Sequence, residues 1–473
     1  MPGGSWMRRS SIFRFALIAF CLPVPAKSES PDMPQVRIEV TRRGDDWQAA
    51  FVFDRDFTTW VLPRSALTAE GGQPWRAPSW NVETRGVRLQ RRGSYDVLVA
   101  DRGKLPRRVD VSFTPVPDRL QADYSPALTF TDGSVALFVA QFDGFPMDSL
   151  SAVGKLPSDL NNQMVPAAAL KYLFRDSAGP VLLDGRRVAV AETADSNTYV
   201  LFGGTRPIET PDMIGILDPQ LPPWIKESLT RSVPALLGRY TQELGRLREF
   251  KPALMVSWGG PTPGLVSRGG SVLRGLIAMQ YEGSGVLEES VAQRQQGLWF
   301  IAHEAAHFWL GQTVAYEYAR DAWITEGGAD LLAVRAVAEL DPEYDPKIEL
   351  NRAIADCIKL TKRHGVAAAR DRGEHRAYYA CGAVFGLVAE AGSGRSFYKF
   401  LRPLIDDNRA DGVVTRAEWL AAFDTATRKP MLRRDIERLL DKGVSDPVDF
   451  IANLLAQAGV SFEVDPSGIP RLR

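Results

Sequence analysis

The sequence predicts a multidomain α+β protein: an all-β N-terminal domain, a mixed α/β central domain and a helical C-terminal part. Three observations lead there. Residues 34–203 alternate polar and apolar side chains, the period-two pattern of half-buried strands. Residues 290–406 read as a series of helices, the first carrying two histidines four positions apart. Beyond Thr415 the chain reads as short helices closing on a strand near its end. A length of 473 residues suits about three domains. The expected division is a leader over 1–26, the β domain over 27–205, the central domain over 206–392 and the helical part over 393–473.

Composition narrows the functional classes. Hydrophobic residues make up 45% and charged residues 24% of the chain, as in ordinary globular proteins. Lys+Arg and Asp+Glu number 57 each, so no global field argues for nucleic acid or an anionic surface. Residues 1–26 read as a secretory signal. Arg8 and Arg9 form a basic start, Phe15–Pro25 a short apolar run, and Val24-Pro25-Ala26 a small-residue cleavage site. Met7 is an alternative start. Cys21 lies in IAFC, a poor lipoprotein box because Phe20 stands where a small residue belongs. The run is too short to span a bilayer comfortably, and no later stretch is long and apolar enough, so the mature chain is expected to be exported, periplasmic or secreted, without a transmembrane segment. Cys357 and Cys381 then remain, either joined in an oxidising compartment or as two buried thiols. Nothing in the sequence fixes the oligomeric state.

In the β domain the expected strands are VRIEV, WQAAFVF, VRLQRR, YDVLVA, RRVDVSF, LTFTD, SVALFVAQF, RRVAVAE and TYVLFGG. Prolines gather between Gly203 and Pro223, and then WIKESLTRSVPALLGRYTQEL reads as a long amphipathic helix containing Pro234. ALMVSW reads as a strand. GGPTPG and RGGS read as loops lining a cleft, since no GK[ST] follows to make a phosphate cradle.

The chemistry is concentrated in AHEAAHFWLGQTVAYEYARDAWITEGGAD, Ala302 to Asp330. His303 and His307, four apart on a helix expected over 290–312, project from one face. Two ring nitrogens so placed can hold one Zn²⁺ at about 2.0–2.1 Å. Glu304 lies beside them, where a carboxylate can take a proton from water. Glu326 follows after eighteen intervening residues and is the expected third ligand. Four protein ligands, mostly Cys, would mark a structural zinc; two His and one Glu leave a position for water.

HEAAHFWLGQ followed by WITEGGAD resembles the zinc aminopeptidase family of aminopeptidase N, within the thermolysin-like gluzincins. The likeness covers the HExxH spacing, the Trp before the glutamate (Trp323) and the Gly after it (Gly327). Gln312 and Thr325 stand where that family usually has Asn. The resemblance implies a thermolysin-like catalytic domain, a β domain closing one side of the cleft, one zinc per chain and a peptide or protein substrate. It also implies that Asp330 orients a ligating histidine. The family places a G-A-M-E-N edge strand before the motif, whose backbone pairs with substrate and whose Glu binds the free α-amino group. In VLRGLIAMQYEG, expected to be one strand over 272–283, the best register sets Ala278-Met279-Gln280 against A-M-E. Neutral Gln280 replaces the acid, and Glu282 is a nearby substitute. YYACGAVF resembles the family's Y-x-x-G-A stretch, making Tyr379 the residue that donates to the oxyanion; Tyr378 is the alternative if the register slips by one.

The function expected from this likeness is peptide-bond hydrolysis by a zinc-activated water with Glu304 as general base. Loss of the acid at Gln280 keeps open an endopeptidase or oligopeptidase that ignores the free N-terminus. A non-catalytic, zinc-bearing peptide-binding protein is a third reading, against which the intact Glu304 argues. DNRADGVVTRAE has the length of a calcium loop, but Arg409 occupies an oxygen-ligand position. Thr415–Glu418 instead forms a capping box opening the next helix.

Overall fold

The computed structural model describes residues 33–121, 123–160, 163–247 and 250–473. The leader expected over 1–26, with Cys21, lies outside them. Among the described residues no helix is long and apolar enough to cross a membrane.

Residues 35–202 build three sheets. A six-stranded sheet runs in the order 191–193, 169–176, 35–43, 46–53, 108–113, 80–82. A four-stranded sheet takes 145–147, 59–62, 95–100 and 87–92, and a five-stranded sheet takes 186–188, 181–183, 199–202, 135–138 and 127–129. Most of the expected strands form. Ala169–Asp176 was missed, although it pairs in parallel along the first strand. Its sequence, ALKYLFRD, sets Tyr172 and Phe174 inward but begins with two consecutive apolar residues, which blurs the alternation. RRVAVAE divides into two strands, and Val139–Phe142 is a 3-10 turn. Short helices Arg76–Ser79 and Leu150–Val153 interrupt what was expected to be purely β.

The next sheet carries the site. Its order is Ile208–Glu209, Ile214–Leu217, Ala253–Trp258, Leu276–Glu282, Ser267–Leu273. The middle strands are parallel, and Ser267–Leu273 runs antiparallel along the edge. Each face buries a different core because side chains alternate. Leu276 and Ala278 pack with Leu128, Phe130, Phe138 and Tyr199 of the β region. Ile277, Met279 and Tyr281 pack toward the helices, with Tyr240, Ile301 and Ala302. Asp218, buried at the end of Ile214–Leu217, accepts from the Thr131 N–H and hydroxyl and, at 3.3 Å, from the Trp258 N–H, tying the β region to this sheet.

The single strand expected over 272–283 is a hairpin. It turns at Arg274-Gly275, where Gly275 has φ +65°, a conformation glycine adopts without penalty. RGGS is not a loop: Arg268–Ser271 lie within the edge strand.

Helices Pro223–Leu244, Val291–Ala306, Trp323–Leu340, Pro346–Leu360 and Arg376–Ser393 pack on the other face. The helix carrying HExxH starts at its Ser290 cap as expected, but ends at Ala306 rather than Gln312. Gly311, at φ +140°, lets the chain turn away. The capping box at Thr415 opens Arg416–Thr427 with both reciprocal bonds. The tail forms helices Pro430–Asp441 and Pro447–Ala458 and a small hairpin, 462–464 with 470–472. Cys357 and Cys381 are joined in a disulfide between Pro346–Leu360 and Arg376–Ser393, a bond that persists in oxidising compartments.

One buried acid gives the β region a pH signature. Asp143 accepts from the Tyr172 hydroxyl and, at 2.9 Å, from Ser196. Burial outweighs these bonds and raises its pKa from 3.8 to about 6. The protonated form is the one favoured by folding, so its contribution is full below pH 3.8 and lost as pH rises through 6. The interval corresponds to about 3 kcal/mol. Asp143→Asn removes this slope. Urea unfolding should show the variant gaining on the wild type by up to that amount between pH 4 and 6.5, and no further above; parallel pH profiles would refute it.

Candidate metal centre

Three helices meet at the site. His303 and His307 come from the end of Val291–Ala306, with His307 as its C-cap. Glu326 comes from the first turn of Trp323–Leu340, and Tyr379 from the first turn of Arg376–Ser393. The two imidazole Nε2 atoms lie 3.1 Å apart, and Glu326 Oε2 lies 3.7 Å from His303 Nε2 and 3.4 Å from His307 Nε2. A tetrahedral zinc with bonds near 2.0–2.1 Å sets its ligand atoms about 3.3 Å apart. Among the described residues this is the one group of three or more His, Cys, Asp or Glu side chains close enough to share an ion.

Each ligand is oriented from behind. Asp330 Oδ1 lies 2.8 Å from His303 Nδ1, and the Leu310 carbonyl lies 2.9 Å from His307 Nδ1. The Leu310 contact assigns the His307 proton to Nδ1 and leaves its Nε2 lone pair toward the centre, whereas Asp330 meets His303 Nδ1 at ion-pair distance without hydrogen-bond alignment. Asp330 is held in turn by Arg376 at 3.3 Å, which reaches Asp356 at 2.9 Å. Sequence reasoning missed Arg376 and Asp356; the signal was Arg376, three residues before Tyr379 on one helix face.

The donor set fits a dication. Glu304, Glu326 and Asp330 are buried, and the guanidinium of Arg376 pairs with Asp330. Glu304 Oε2 and Glu326 Oε2 are buried without a hydrogen-bond donor, a costly arrangement unless something positive faces them. Burial pushes the Glu304 carboxyl up. Burial acts the same way on Glu326, but the His307 and His303 imidazoles overcome it and hold its pKa at about 2. Burial thus favours a proton on Glu304, while positive charge on the neighbouring imidazoles favours ionised Glu326.

Tyr379, not Tyr378, faces the site. Its ring lies against His303 with centroids 5.7 Å apart and planes at 21°. Burial and the charges of Glu326 and Glu304 raise its pKa well above 10, so it is a proton donor at every working pH. Tyr378 points away, accepting from the Arg370 N–H at 3.2 Å. Phe308 and Trp309 are core, as expected, and Phe300 is half-buried.

Glycine sets the distance between the Glu326 and Tyr379 helices. A Cβ on Gly327 would stand 2.2 Å from Gly382 Cα, and one on Gly382 would stand 2.3 Å from the Trp323 carbonyl oxygen. The helices therefore touch backbone to backbone, one residue after Glu326 and three after Tyr379. Trp323 locks the same turn from its other side, edge-on to Trp419 at 4.9 Å.

The expected substrate strand needs correction. Leu276–Glu282, which carries Ala278, Met279, Gln280 and Glu282, is an interior strand paired on both sides. Its backbone groups are taken by the two neighbouring strands, so it cannot pair with an extended peptide. Ala278 and Met279 are 6% and 1% exposed, on opposite faces. Glu282 accepts from the Thr262 hydroxyl at 2.6 Å. The edge beside the site is Ser267–Leu273. The Val272 N–H donates to Glu304, and the Val272 carbonyl accepts from Tyr124 of the β region at 3.0 Å. Gln312 holds the hairpin turn, donating to the Leu273 carbonyl at 2.7 Å and accepting from the Gly275 N–H at 2.9 Å. No residue of Ser267–Leu273 is acidic.

This geometry gathers the HExxH histidines and the downstream glutamate as three possible metal ligands beside an edge strand. No family model matches the chain. The structure is similar to leukotriene A4 hydrolase of Saccharomyces cerevisiae, with 11% identity and a TM-score of 0.50, over 88% of this chain and 68% of that one. An M1 zinc metallopeptidase from Deinococcus radiodurans superposes with 14% identity and a TM-score of 0.46, over 86% and 92% of the two chains. By sequence, 56 residues are 38% identical to a probable aminopeptidase 2 of Sulfurisphaera tokodaii. That stretch is 12% of this chain and 7% of the relative. At 11% identity the likeness to leukotriene A4 hydrolase shows the fold alone, a mixed α/β multidomain architecture.

Gly327→Ala should force the two helices apart, costing about 1–3 kcal/mol of stability and weakening zinc binding at least tenfold. Thermal unfolding with and without added zinc, alongside chelator competition, checks both. Wild-type zinc affinity in the variant would remove the glycine contact from the account.

Proposed function

We propose that this chain is a zinc-dependent metallopeptidase that hydrolyses peptide bonds. The observation that carries the proposal is the set of three ligand atoms within 4.8 Å of one another, flanked by Glu304 and Tyr379. In this reading His303, His307 and Glu326 hold the ion, and Asp330 fixes the His303 tautomer. When bound, zinc supplies a Lewis acid that polarises water and the scissile carbonyl. Glu304 takes a proton from the attacking water on Oε2 and passes it to the departing nitrogen. Its raised proton affinity suits that exchange. Tyr379 donates its hydroxyl proton in a hydrogen bond to the oxyanion, and being un-ionised it can do so without prior protonation. The unpaired groups of Ser267–Leu273 bind the substrate backbone as an added strand.

Two substrate modes remain within this chemistry. The likeness to the aminopeptidase N family favours removal of N-terminal residues. The edge strand favours cleavage that ignores the free amine, because no carboxylate on it can pair with an ammonium. A buried ammonium without an ionic partner loses much of its binding free energy.

Glu304→Gln should retain zinc and lower kcat at least about a thousandfold, since it keeps the shape and removes the base. Tyr379→Phe should lower kcat about tenfold to a hundredfold with zinc content unchanged. Metal analysis and turnover on the same preparations decide, and full activity in Glu304→Gln ends the general-base assignment. Substrate mode is read by matched peptides with free and acetylated N-termini. Equal kcat/KM identifies cleavage independent of the amine; a loss of more than about a hundredfold on acetylation identifies an aminopeptidase.

A further inference from the structure

The edge strand holds a cation for which the proposed chemistry has no use. Arg268 is half-buried in Ser267–Leu273. Its Nη1 donates to the Gln293 carbonyl and its Nη2 to Gln296 Oε1, each at 3.3 Å. Among the described residues no carboxylate pairs with it. Burial presses its pKa below the usual arginine value, and Tyr281 opposes the shift where an acid would normally do so. A guanidinium has five N–H donors, and a half-buried one with two long neutral hydrogen bonds is poorly satisfied.

Its position gives that surplus a direction. The Val272 N–H and C=O both point away from the neighbouring strand, toward Glu304 and Tyr124. In an antiparallel pair the pattern repeats every second residue, so the backbone groups of Gly270 and Arg268 also point outward. Along the facing helix, Gln293, Gln296, Phe300 and Glu304 recur at helical spacing, sharing one face. Arg268 therefore lies on the line joining the edge strand to Glu304, four residues or about 13 Å from Val272. A second guanidinium marks the same end of the strand. Arg119, exposed on the β region, donates to the Ser267 hydroxyl at 3.0 Å and has no carboxylate partner among the described residues.

We propose that Arg268, assisted by Arg119, binds a carboxylate of an extended peptide docked on the edge strand, several residues from the bond that is cut. The carboxylate is either an acidic side chain or the peptide's own C-terminus. This specificity rests on the peptidase reading given above.

The test uses the full zinc-loaded protein and a neutral, internally quenched octapeptide. A single Glu replaces Gln at each position in turn, and each peptide is made as a C-terminal acid and as an amide. In the wild type, one Glu position or the free acid should raise kcat/KM at least about tenfold, mainly through KM. A gain from Glu identifies a side-chain carboxylate; a gain from the free acid identifies the C-terminus. Arg268→Gln should bring the ratio of charged to neutral substrate close to one, and Arg268→Lys, which keeps the charge without the fork, should retain part of it. A wild-type ratio near one throughout, with the neutral peptide cleaved, overturns the carboxylate site and leaves the peptidase reading standing. A preference that survives in Arg268→Gln overturns it equally. If no peptide is cleaved, the peptidase reading fails, and the same peptides are compared by fluorescence anisotropy. A Kd that weakens about tenfold on loss of the carboxylate, in wild type but not in Arg268→Gln, sustains the site; a Kd indifferent to the carboxylate removes it.

Discussion

Glu326 stands within 4 Å of both imidazoles, and its helix meets the Tyr379 helix without side chains between them. Gly327 and Gly382 are the point of contact, and a methyl group on either would overlap backbone atoms. Ordinary helix pairs keep their axes 8–10 Å apart according to the side chains between them. Here that spacing is set by main chain, so Glu326 and Tyr379 reach the same small volume from adjacent turns. The disulfide at Cys381 and the Trp323–Trp419 contact hold the helices on either side of this seam.

Concentrating buried acids around two imidazoles is unfavourable unless each is satisfied or faced by a cation. The chain answers part of that demand itself. Arg376 lies against Asp330 and reaches on to Asp356, so the acid behind His303 is held in place. Glu304 Oε2 and Glu326 Oε2 receive no such donor. Arg376 thus meets the outer acid, while one oxygen of each inner glutamate stays without a donor.

The edge strand is tied both to the end of the histidine helix and to the β region. Its turn is pinned by Gln312, five residues after His307, so the end of the histidine helix and the end of the strand move as one. Tyr124 closes the Val272 carbonyl from the β region, and Ser267 is tied to Arg119. The β region therefore grips the strand at both ends, while Gly270 between them remains open for backbone pairing. A metal centre built on helices alone would have no such register.

The sequence by itself determined the donor set and its order. His303, Glu304 and His307 share a helix, where spacing fixes direction, and Glu326 and Asp330 lie one turn apart on the next. Tyr379 was legible through its likeness to a family, with Tyr378 left open until packing against His303 separated them. The cysteine pairing was undetermined for the same reason: proximity of two helices is not written in either one. The hairpin was not foreseen because VLRGLIAMQYEG is apolar enough to pass for one strand, and a two-residue turn at Arg274-Gly275 barely interrupts that pattern. Which strand is outermost depends on the order of the sheet, a relation between segments far apart in the chain. Local periodicity reports which side chains are buried; only the assembled sheet decides which backbone is left unpaired, and with it Arg268, Tyr124 and the open edge.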